Sequence, residues 1–416
     1  MLKHETIIRQ MTLEEKCYLF SGKDFWQTRS VERLGIHNMV LSDGPHGVRR
    51  QAGAGDQLGL NPSLPATCFP TAATIANSWD PKLGEEIGEC LGEEAASQGV
   101  GVLLGPGLNI KRSPLCGRNF EYFSEDPYLA GKIAAGYIRG IQKNGVAACP
   151  KHFACNSQEL RRMASDSVLD ERTLREIYLT GFEIAVKEGK AKSLMSSYNR
   201  VNGTYANENY HLLQEILRDE WGFDGFVVSD WGGSNEHIEG VRAGSHLEMP
   251  TTGGDSDLEL IQAVRSGKIS EEIINRRVDE ILDVILPVTK VVAPLEGKPF
   301  DIDAHHKMAA KAALDRRAEI LASELLVGDI DRRSLGYPVG ERVDSLSDAG
   351  HLHGAEREIA LHAFKPCGVE AGGDHSLADL VDIAVVESAT VLSGEVGNHI
   401  HVDETAAIVL IICYAL

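Results

Sequence analysis

Two aspartates stand directly after short apolar runs of the sequence. Residues 226–228 are Phe-Val-Val and lead into Ser229-Asp230-Trp231, while residues 39–41 are Met-Val-Leu and lead into Asp43. A short apolar run fenced by glycines predicts a buried strand. A carboxylate at the carboxyl end of such a strand lies where an α/β barrel keeps its catalytic groups. Read alone, the stretch around Asp230 also allows the simpler interpretation that this carboxylate caps the following helix.

Further polar side chains follow other apolar runs, and together they suggest a sugar pocket. Besides the two aspartates, the set comprises Arg118, Lys151, His152, Arg162, Met195, Tyr198 and Trp231. Each residue taken singly is more often structural, as a buried lysine or histidine usually is. Two carboxylates that converge with several charged donors and an aromatic ring fit a pyranose, because its hydroxyls need charged partners and its apolar face packs on an aromatic wall.

Strand patterns alternate with helical patterns over the first 290 residues. Short apolar runs occur at 39–41, 100–104, 146–149, 193–196 and 226–228, and helical patterns at 81–98, 127–143, 170–188, 209–220 and 271–286. Residues 4–20 predict two short helices, the second capped at Thr12. This alternation predicts an α/β fold with a parallel sheet, most simply a TIM-like (β/α)8 barrel over residues 1–290. We expect a linker at 291–311 and a second domain at 312–416.

Composition excludes several classes of partner. The chain has 416 residues and a formal net charge of −20, which would repel nucleic acid and anionic membranes. None of the eight cysteines forms a CxxC pair, so we expect neither a structural metal site nor a disulfide framework, and no cofactor. Charges occur throughout residues 1–20, a pattern that does not fit a secretory signal and predicts a cytoplasmic protein.

Six ordered motifs give the sequence a resemblance to glycoside hydrolase family 3, in its bacterial β-glucosidase-like branch. They are SDGPHG at 42–47, KRSPLCGRNFE at 111–121, KHF at 151–153, QELRR at 158–162, MSSYN at 195–199 and GFVVSDWG at 225–232. The resemblance covers about residues 1–311. One departure is His246, which lies in AGSHLEMP at 243–250 where the family usually carries an aspartate, and this puts the support of that loop in question.

The resemblance implies a retaining exo-β-glycosidase with Asp230 as the nucleophile, kept ionised by nearby cations. Asp43, Arg118, Lys151, His152 and Arg162 would hold the nonreducing-end sugar, with Met195, Tyr198 and Trp231 lining the pocket. The leading interpretation is a β-glucosidase that acts on small oligosaccharides or aryl β-glucosides. The alternatives are a β-xylosidase, a sugar-binding barrel with impaired catalysis, and an aldolase-like enzyme with a Schiff base on Lys151.

The resemblance fades after residue 311. Family members continue with an α/β sandwich domain that carries the acid/base glutamate, and the sequence predicts a short, divergent or incomplete version of that domain here. A strand-like run at 381–386 precedes Ser393-Gly394-Glu395, which makes Glu395 the candidate acid/base. Residues 406–416 are strongly apolar, and we expect either self-association into a homo-oligomer through them or early proteolysis beyond about residue 311.

Overall fold

The strands of the protein are short, and most of them lie at the ends of buried apolar runs. The structure, a computed structural model, describes residues 2–53, 55–56 and 61–314, and the statements below concern those residues. The strands are β1 (Val40–Ser42), β2 (Val100–Leu103), β3 (Ala147–Ala148), β4 (Asp166–Ser167), β5 (Ser193–Met195), β6 (Arg200–Val201), β7 (Thr204–Tyr205) and β8 (Phe226–Val228). β4, β6 and β7 form a small separate sheet.

The remaining strands join three further segments in a closed ring. β1, β2 and β3 pair in parallel, as do β5 and β8. The Phe153 amide donates to the Met195 carbonyl at 2.8 Å, which links the β3 side to β5. Single bridges then lead from Val228 to Leu247, from Glu248 to Ser21, from Gly22 to Thr28 and from Gln27 back to Val40. Eight segments of the described chain therefore close a TIM barrel-like ring.

One segment of the ring differs from the predicted (β/α)8 pattern. Residues 27–28 run antiparallel to both neighbours, whereas the other pairings are parallel. Only a few residues separate Gly22 from Gln27, and a parallel return would need a crossover of about a dozen residues. The short connection therefore forces a hairpin. Counting around the ring, β1 and β8 lie four positions apart, on opposite sides of the barrel mouth.

Helices surround the ring. They are α1 (Glu5–Ile8), α2 (Leu13–Tyr18), α3 (Ala72–Ala76), α4 (Pro81–Ser97), α5 (Pro127–Gln142), α6 (Glu171–Thr173), α7 (Thr180–Lys187), α8 (His237–Ala243), α9 (Asp255–Arg265) and α10 (Glu271–Val292). Thr12 caps α2 in a reciprocal capping box with Glu15, as its sequence predicts. Asp80 and Asp126 cap α4 and α5, each followed by a proline at the first helical position.

Helices α4 and α5 pack with their backbones almost in contact. A Cβ atom added to Gly88 would lie 2.3 Å from the Tyr137 carbonyl oxygen, and one added to Gly140 would lie 2.1 Å from the Glu85 carbonyl oxygen. Only glycine leaves room for this approach. The Tyr137 hydroxyl, in turn, donates to the Pro45 carbonyl, so the helix pair supports the loop that follows β1.

Three helical regions differ in detail from the sequence prediction. Residues 170–188 form α6, a π-helical stretch (Leu174–Leu179) and α7 instead of one helix, and His211–Glu220 is also π-helical. α10 extends to Val292, beyond the predicted end at residue 286.

The range that the sequence predicts as a linker packs in part on the barrel. Residues 302–314 are helical, and the His305 ring lies between the carboxylates of Glu94 at 2.7 Å and Glu93 at 3.1 Å. The predicted second domain, Glu395 and the apolar run at 406–416 lie outside the described residues. In the described part, no helix combines the length and apolar character needed to cross a bilayer.

Candidate active site

Asp230 lies two residues after β8 and is buried. Its Oδ1 atom accepts the backbone N–H of Trp231 at 2.8 Å. Its Oδ2 atom has no hydrogen-bond partner among the described residues and lies 3.6 Å from Nε2 of His152. One carboxylate oxygen is therefore fixed by the backbone, while the other remains available for chemistry.

The ionisation of Asp230 reflects two opposed effects. Burial raises the pKa of this carboxyl above its ordinary value, although Arg118, the Trp231 amide, Lys151 and Arg162 all act to lower it. The sequence prediction took account of the cations and not of burial. In the structure, loss of solvation outweighs the three cations. The cations nevertheless limit the rise in pKa.

Charged side chains that the sequence predicts to bind sugar form a chain of alternating charges, together with two glutamates. Lys151 Nζ lies 2.8 Å from Asp43 Oδ1 and 3.1 Å from Glu121 Oε1. Glu121 Oε2 also accepts from Arg118 at 2.7 Å. Arg118 lies 3.9 Å from Glu159. Each charge in this chain therefore has an opposite charge beside it, which offsets much of the cost of removing Lys151 and Glu121 from water.

The chain of charges ends at Arg162, whose Nη1 atom lies 2.7 Å from Glu159 Oε2. The Arg162 guanidinium stacks over the Tyr198 ring at 4.6 Å, and the Tyr198 hydroxyl donates to the Trp231 carbonyl at 2.9 Å. These contacts connect the charged half of the site to the segment that carries Asp230. The two halves are thus held by one continuous set of contacts.

Lys151 is a poor candidate for Schiff-base chemistry. Burial would lower its pKa, but Asp43 and Glu121 raise the pKa well above the ordinary lysine value. A Schiff-base lysine must be deprotonated to attack a carbonyl. Lys151 is instead held as an ammonium group, which suits hydrogen bonding to hydroxyls. Partial loss of solvation would raise the pKa of Asp43, which keeps 41% of its side chain exposed, but Lys151 and Arg118 lower the pKa, so Asp43 is a charged acceptor.

His152 is buried and neutral, because burial, together with Arg118 and Lys151, lowers its pKa well below the ordinary value. Tyr122 Oη lies 3.2 Å from Nδ1, and the His152 amide donates to Asn109 at 2.8 Å. Donation from the Tyr122 hydroxyl to Nδ1 would place the ring proton on Nε2, the nitrogen that lies 3.6 Å from Asp230 Oδ2.

Aromatic rings lie at the Asp230 end of the site. The rings of Trp26 and Trp231 are 4.9 Å apart and tilted by 36°. The Trp231 indole N–H donates to the Phe25 carbonyl at 2.9 Å, which fixes the ring orientation. Met195, the last residue of β5, is buried, and its amide donates to the Pro150 carbonyl at 3.1 Å. Its backbone thus holds β5 against the Lys151–His152 segment.

Three residues of the site were not singled out by the sequence prediction: Glu121, Glu159 and Trp26. Both glutamates lie in the quoted motifs, three positions from the arginine that each contacts. Both pairs span turns, in which residues i and i+3 lie close together, so this spacing of opposite charges was a usable signal. Trp26 follows no strand and belongs to the hairpin connection, so its approach to Trp231 depends on ring closure and has no local signal.

His246 ties its own loop, residues 243–250, to β8 and α10, although its departure from the family pattern put the support of that loop in question. Its Nδ1 accepts the Val227 amide at 3.1 Å, and its Nε2 lies 2.8 Å from Glu280 Oε2. Burial lowers its pKa to about 3, although Glu280 acts in the opposite direction. A neutral ring that accepts at one nitrogen and donates at the other therefore satisfies both partners.

Comparisons with known proteins agree on one family. The family model for the glycosyl hydrolase family 3 N-terminal domain matches residues 25–284. Thermostable beta-glucosidase B of Acetivibrio thermocellus is 55% identical over 309 residues, which are 74% of this chain and 41% of that protein. An exo-alpha-(1->6)-L-arabinopyranosidase of Bifidobacterium longum is 44% identical over 309 residues, 74% of this chain and 40% of that protein. The chain thus spans about two fifths of the length of these relatives.

Solved structures give the same result. Beta-glucosidase 3B of Thermotoga neapolitana, solved with alpha-D-glucose, superposes with a TM-score of 0.71 at 40% identity, covering 75% of this chain and 46% of that one. The family 3 beta-glucosidase of Bifidobacterium adolescentis gives a TM-score of 0.70 at 42% identity, covering 74% of this chain and 44% of that one. By sequence and by fold, the chain belongs to glycosyl hydrolase family 3.

Proposed function

We propose that this chain is a retaining exo-β-glycosidase that releases terminal β-D-glucose from small oligosaccharides or aryl β-glucosides. The observation that carries the proposal is the state of Asp230, whose Oδ2 is buried and free of hydrogen bonds to the described residues, beside a line of paired charges. Relatives named as beta-glucosidases support the choice of sugar.

In the first step, Oδ2 of Asp230 attacks the anomeric carbon, the bond to the leaving oxygen breaks, and a glycosyl ester forms. The leaving oxygen takes a proton from a general acid, for which we propose Glu395. In the second step water attacks the same carbon, the acid group now accepts the water proton, and the ester bond to Asp230 breaks. Asp43, Lys151 and Arg118 hold sugar hydroxyls throughout.

The decisive experiment traps the ester. A 2-deoxy-2-fluoro β-glucoside with a good leaving group should accumulate as a covalent adduct on Asp230, located by peptide mapping. Asp230→Ala should lower kcat by several orders of magnitude, because it removes the covalent step. The exposed Asp224, on the loop before β8, provides the control Asp224→Ala, which should keep normal activity. A label on another residue, or turnover without any label, would contradict the proposal.

A pentopyranoside is the second candidate substrate. The Bifidobacterium relatives named as exo-alpha-(1->6)-L-arabinopyranosidases match over the same share of the chain as the first beta-glucosidase. The β-xylosidase alternative from the sequence concerns the same kind of sugar, a pyranose without a hydroxymethyl group. Comparing kcat/KM on 4-nitrophenyl β-glucoside, β-xyloside and α-L-arabinopyranoside decides among the three, and a preference for either pentose would replace glucose in the proposal.

A further inference from the structure

A cavity of about 580 Å³ lies beside Asp43 and Arg118. Its walls come from residues 43–49, from residues 64 and 66–68, and from residues 118 and 120–121, and they do not include Asp230 or Trp231. The volume falls within the range of roughly 300–1,000 Å³ found for small-molecule pockets. The cavity is thus large enough for a ligand, and it touches the proposed sugar site without containing the nucleophile.

The position of the cavity in the ring decides what could enter it. Asp43 follows β1 and Asp230 follows β8, and these strands lie on opposite sides of the barrel mouth. In a glucopyranose, C4 and the C6 hydroxymethyl group lie across the ring from C1. A sugar with C1 at Asp230 therefore directs O4 and O6 toward Asp43. A substituent of this sugar that reaches the cavity must therefore be attached at O4 or O6, on the side of the sugar away from the leaving group.

The walls have the chemistry that a second sugar ring requires. Phe120 keeps 55% of its surface exposed and Leu64 keeps 40%, which provides apolar area for the face of a pyranose. Arg49 and His46 also line the cavity, and Asp43 keeps 41% of its side chain exposed where the cavity meets the sugar site. Aromatic and charged groups therefore occur together, as in the inner site.

We propose that this cavity is a subsite for a second sugar ring, so that the chain also releases an intact disaccharide from aryl β-disaccharides substituted at O4 or O6. The inference rests on the proposed glycosidase function. The reaction is the same two-step exchange: Asp230 forms an ester at C1 of the inner sugar as the phenolate departs, and water then cleaves that ester. An aryl disaccharide and water give a disaccharide and a phenol.

The first test is the initial product distribution from 4-nitrophenyl β-gentiobioside and 4-nitrophenyl β-cellobioside. The expected result is an intact disaccharide and 4-nitrophenol among the initial products, alongside any glucose and 4-nitrophenyl β-glucoside that the proposed exo-activity releases. Glucose and 4-nitrophenyl β-glucoside as the sole initial products from both compounds would overturn the inference, while leaving the β-glucosidase proposal in place.

A variant pair separates the cavity from the inner site. Phe120→Ala should lower disaccharide release about tenfold, by loss of aromatic contact, and should change 4-nitrophenyl β-glucoside hydrolysis by no more than about twofold. Leu115 lies on the same loop, is 93% exposed and is not part of the cavity wall, so Leu115→Ala is the matched control. Equal loss on both substrates in Phe120→Ala would count against a separate subsite.

A binding measurement makes the test independent of turnover. Cys68 lines the cavity and is the exposed cysteine of the described residues. Gentiobiose or cellobiose should slow alkylation of Cys68 by iodoacetamide, quantified at its own peptide with Cys68→Ser as the blank, whereas glucose should not. Protection without any glycosidase activity would support the subsite and reject the proposed function. Glycosidase activity with neither protection of Cys68 nor release of a disaccharide would support the proposed function and reject the subsite.

Discussion

At the scale of single residues, the site places several charged side chains close together, and each of them is paired with an opposite charge. Glu121 is the central member, because it contacts both Arg118 and Lys151 while only 5% of its surface is exposed. Without a carboxylate there, two cations would face each other in a poorly hydrated pocket, and their side chains would separate. Glu121 is thus a positioning residue for the two cations that we expect to hold sugar hydroxyls.

We predict that Glu121→Gln lowers kcat/KM for aryl β-glucosides by roughly 10- to 150-fold, since a charged hydrogen bond contributes about 1.5–3 kcal/mol. The matched control is Glu125→Gln, an exposed glutamate on the same loop, which should behave as wild type. A purely structural role would lower the melting temperature and leave kcat/KM of the folded protein unchanged. Measuring both quantities on each variant therefore separates the two roles.

The second prediction at this scale concerns pH. A carboxylate nucleophile acts only when ionised. The value of kcat/KM is therefore full at pH values above the pKa of Asp230, and it decreases as the pH falls through that pKa. Arg118 is the first of the groups that lower this pKa against the effect of burial. Arg118→Met should therefore raise the pKa, and the acid limb of kcat/KM should move to higher pH. Arg265→Met, an exposed position on α9, should leave the limb in place. An unchanged or lowered limb in Arg118→Met would contradict the assignment of Asp230.

The position of a site residue could be predicted where a sequence pattern determines it, and its pKa could not. Asp43 and Asp230 follow strands whose apolar runs are visible in the sequence, so their place at the barrel mouth could be derived. The pKa of Asp230 could not, because the balance between burial and three cations depends on distances that no sequence pattern contains. The catalytic and binding roles themselves stay predictions until the variants are measured.

At the scale of elements, the contact between α4 and α5 is the structural support of the Asp43 loop. The two helices approach closely at Gly88 and Gly140, and the Tyr137 hydroxyl then reaches the Pro45 carbonyl. Displacement of α5 would therefore move the backbone two residues from Asp43. Helix packing on the outside of the barrel is in this way coupled to the position of Asp43 at its mouth.

We predict that Gly88→Ala destabilises the protein by about 1–3 kcal/mol, the usual cost of overpacking. Its new methyl group would lie 2.3 Å from a backbone oxygen that no side-chain rotation can move. Gly117→Ala is the control, because nothing lies within 4 Å of its added Cβ. Urea unfolding of both variants checks the prediction, and equal midpoints would show that α4 and α5 can separate at little cost.

Element boundaries were predictable where local signals exist. The aspartate and proline pairs at residues 80–81 and 126–127 fixed the starts of α4 and α5. The π-helical turns in Leu174–Leu179 and His211–Glu220 were not predictable, because the apolar spacing there suits an ordinary helix. The antiparallel direction of residues 27–28 was not predictable for a different reason. The segment is too short to show a hydrophobic periodicity in the sequence.

At the scale of the whole molecule, the question is where the acid/base group lies. A retaining enzyme needs a second carboxyl group about 5–5.5 Å from the nucleophile. The chain spans about two fifths of the length of its relatives. The candidate acid/base group, Glu395, lies outside the residues that the structure describes. The sequence alone therefore supports that assignment, and only activity measurements on the full chain can test it.

We predict that Glu395→Ala retains formation of the ester from substrates with activated phenol leaving groups, which need no proton. The same variant should nearly abolish cleavage of cellobiose, and added azide should yield β-glucosyl azide by attacking the trapped intermediate. Glu387→Ala, a nearby glutamate, is the control. Equal loss on both substrates, or no loss on either, would remove Glu395 from the mechanism.

The pairing of Ser21 with Glu248 also has a consequence for how the protein is made. These residues are 227 positions apart in the sequence (248 minus 21), and ribosomes add roughly 5–20 residues per second. The first segment of the ring therefore waits on the order of 10–45 s before its last neighbour has even been synthesised. During translation, residues 21–22 can pair with residues 27–28 within moments, which covers one side of that segment. The other side stays open until residue 248 leaves the exit tunnel, and a chaperone acting on the nascent chain would find its target there.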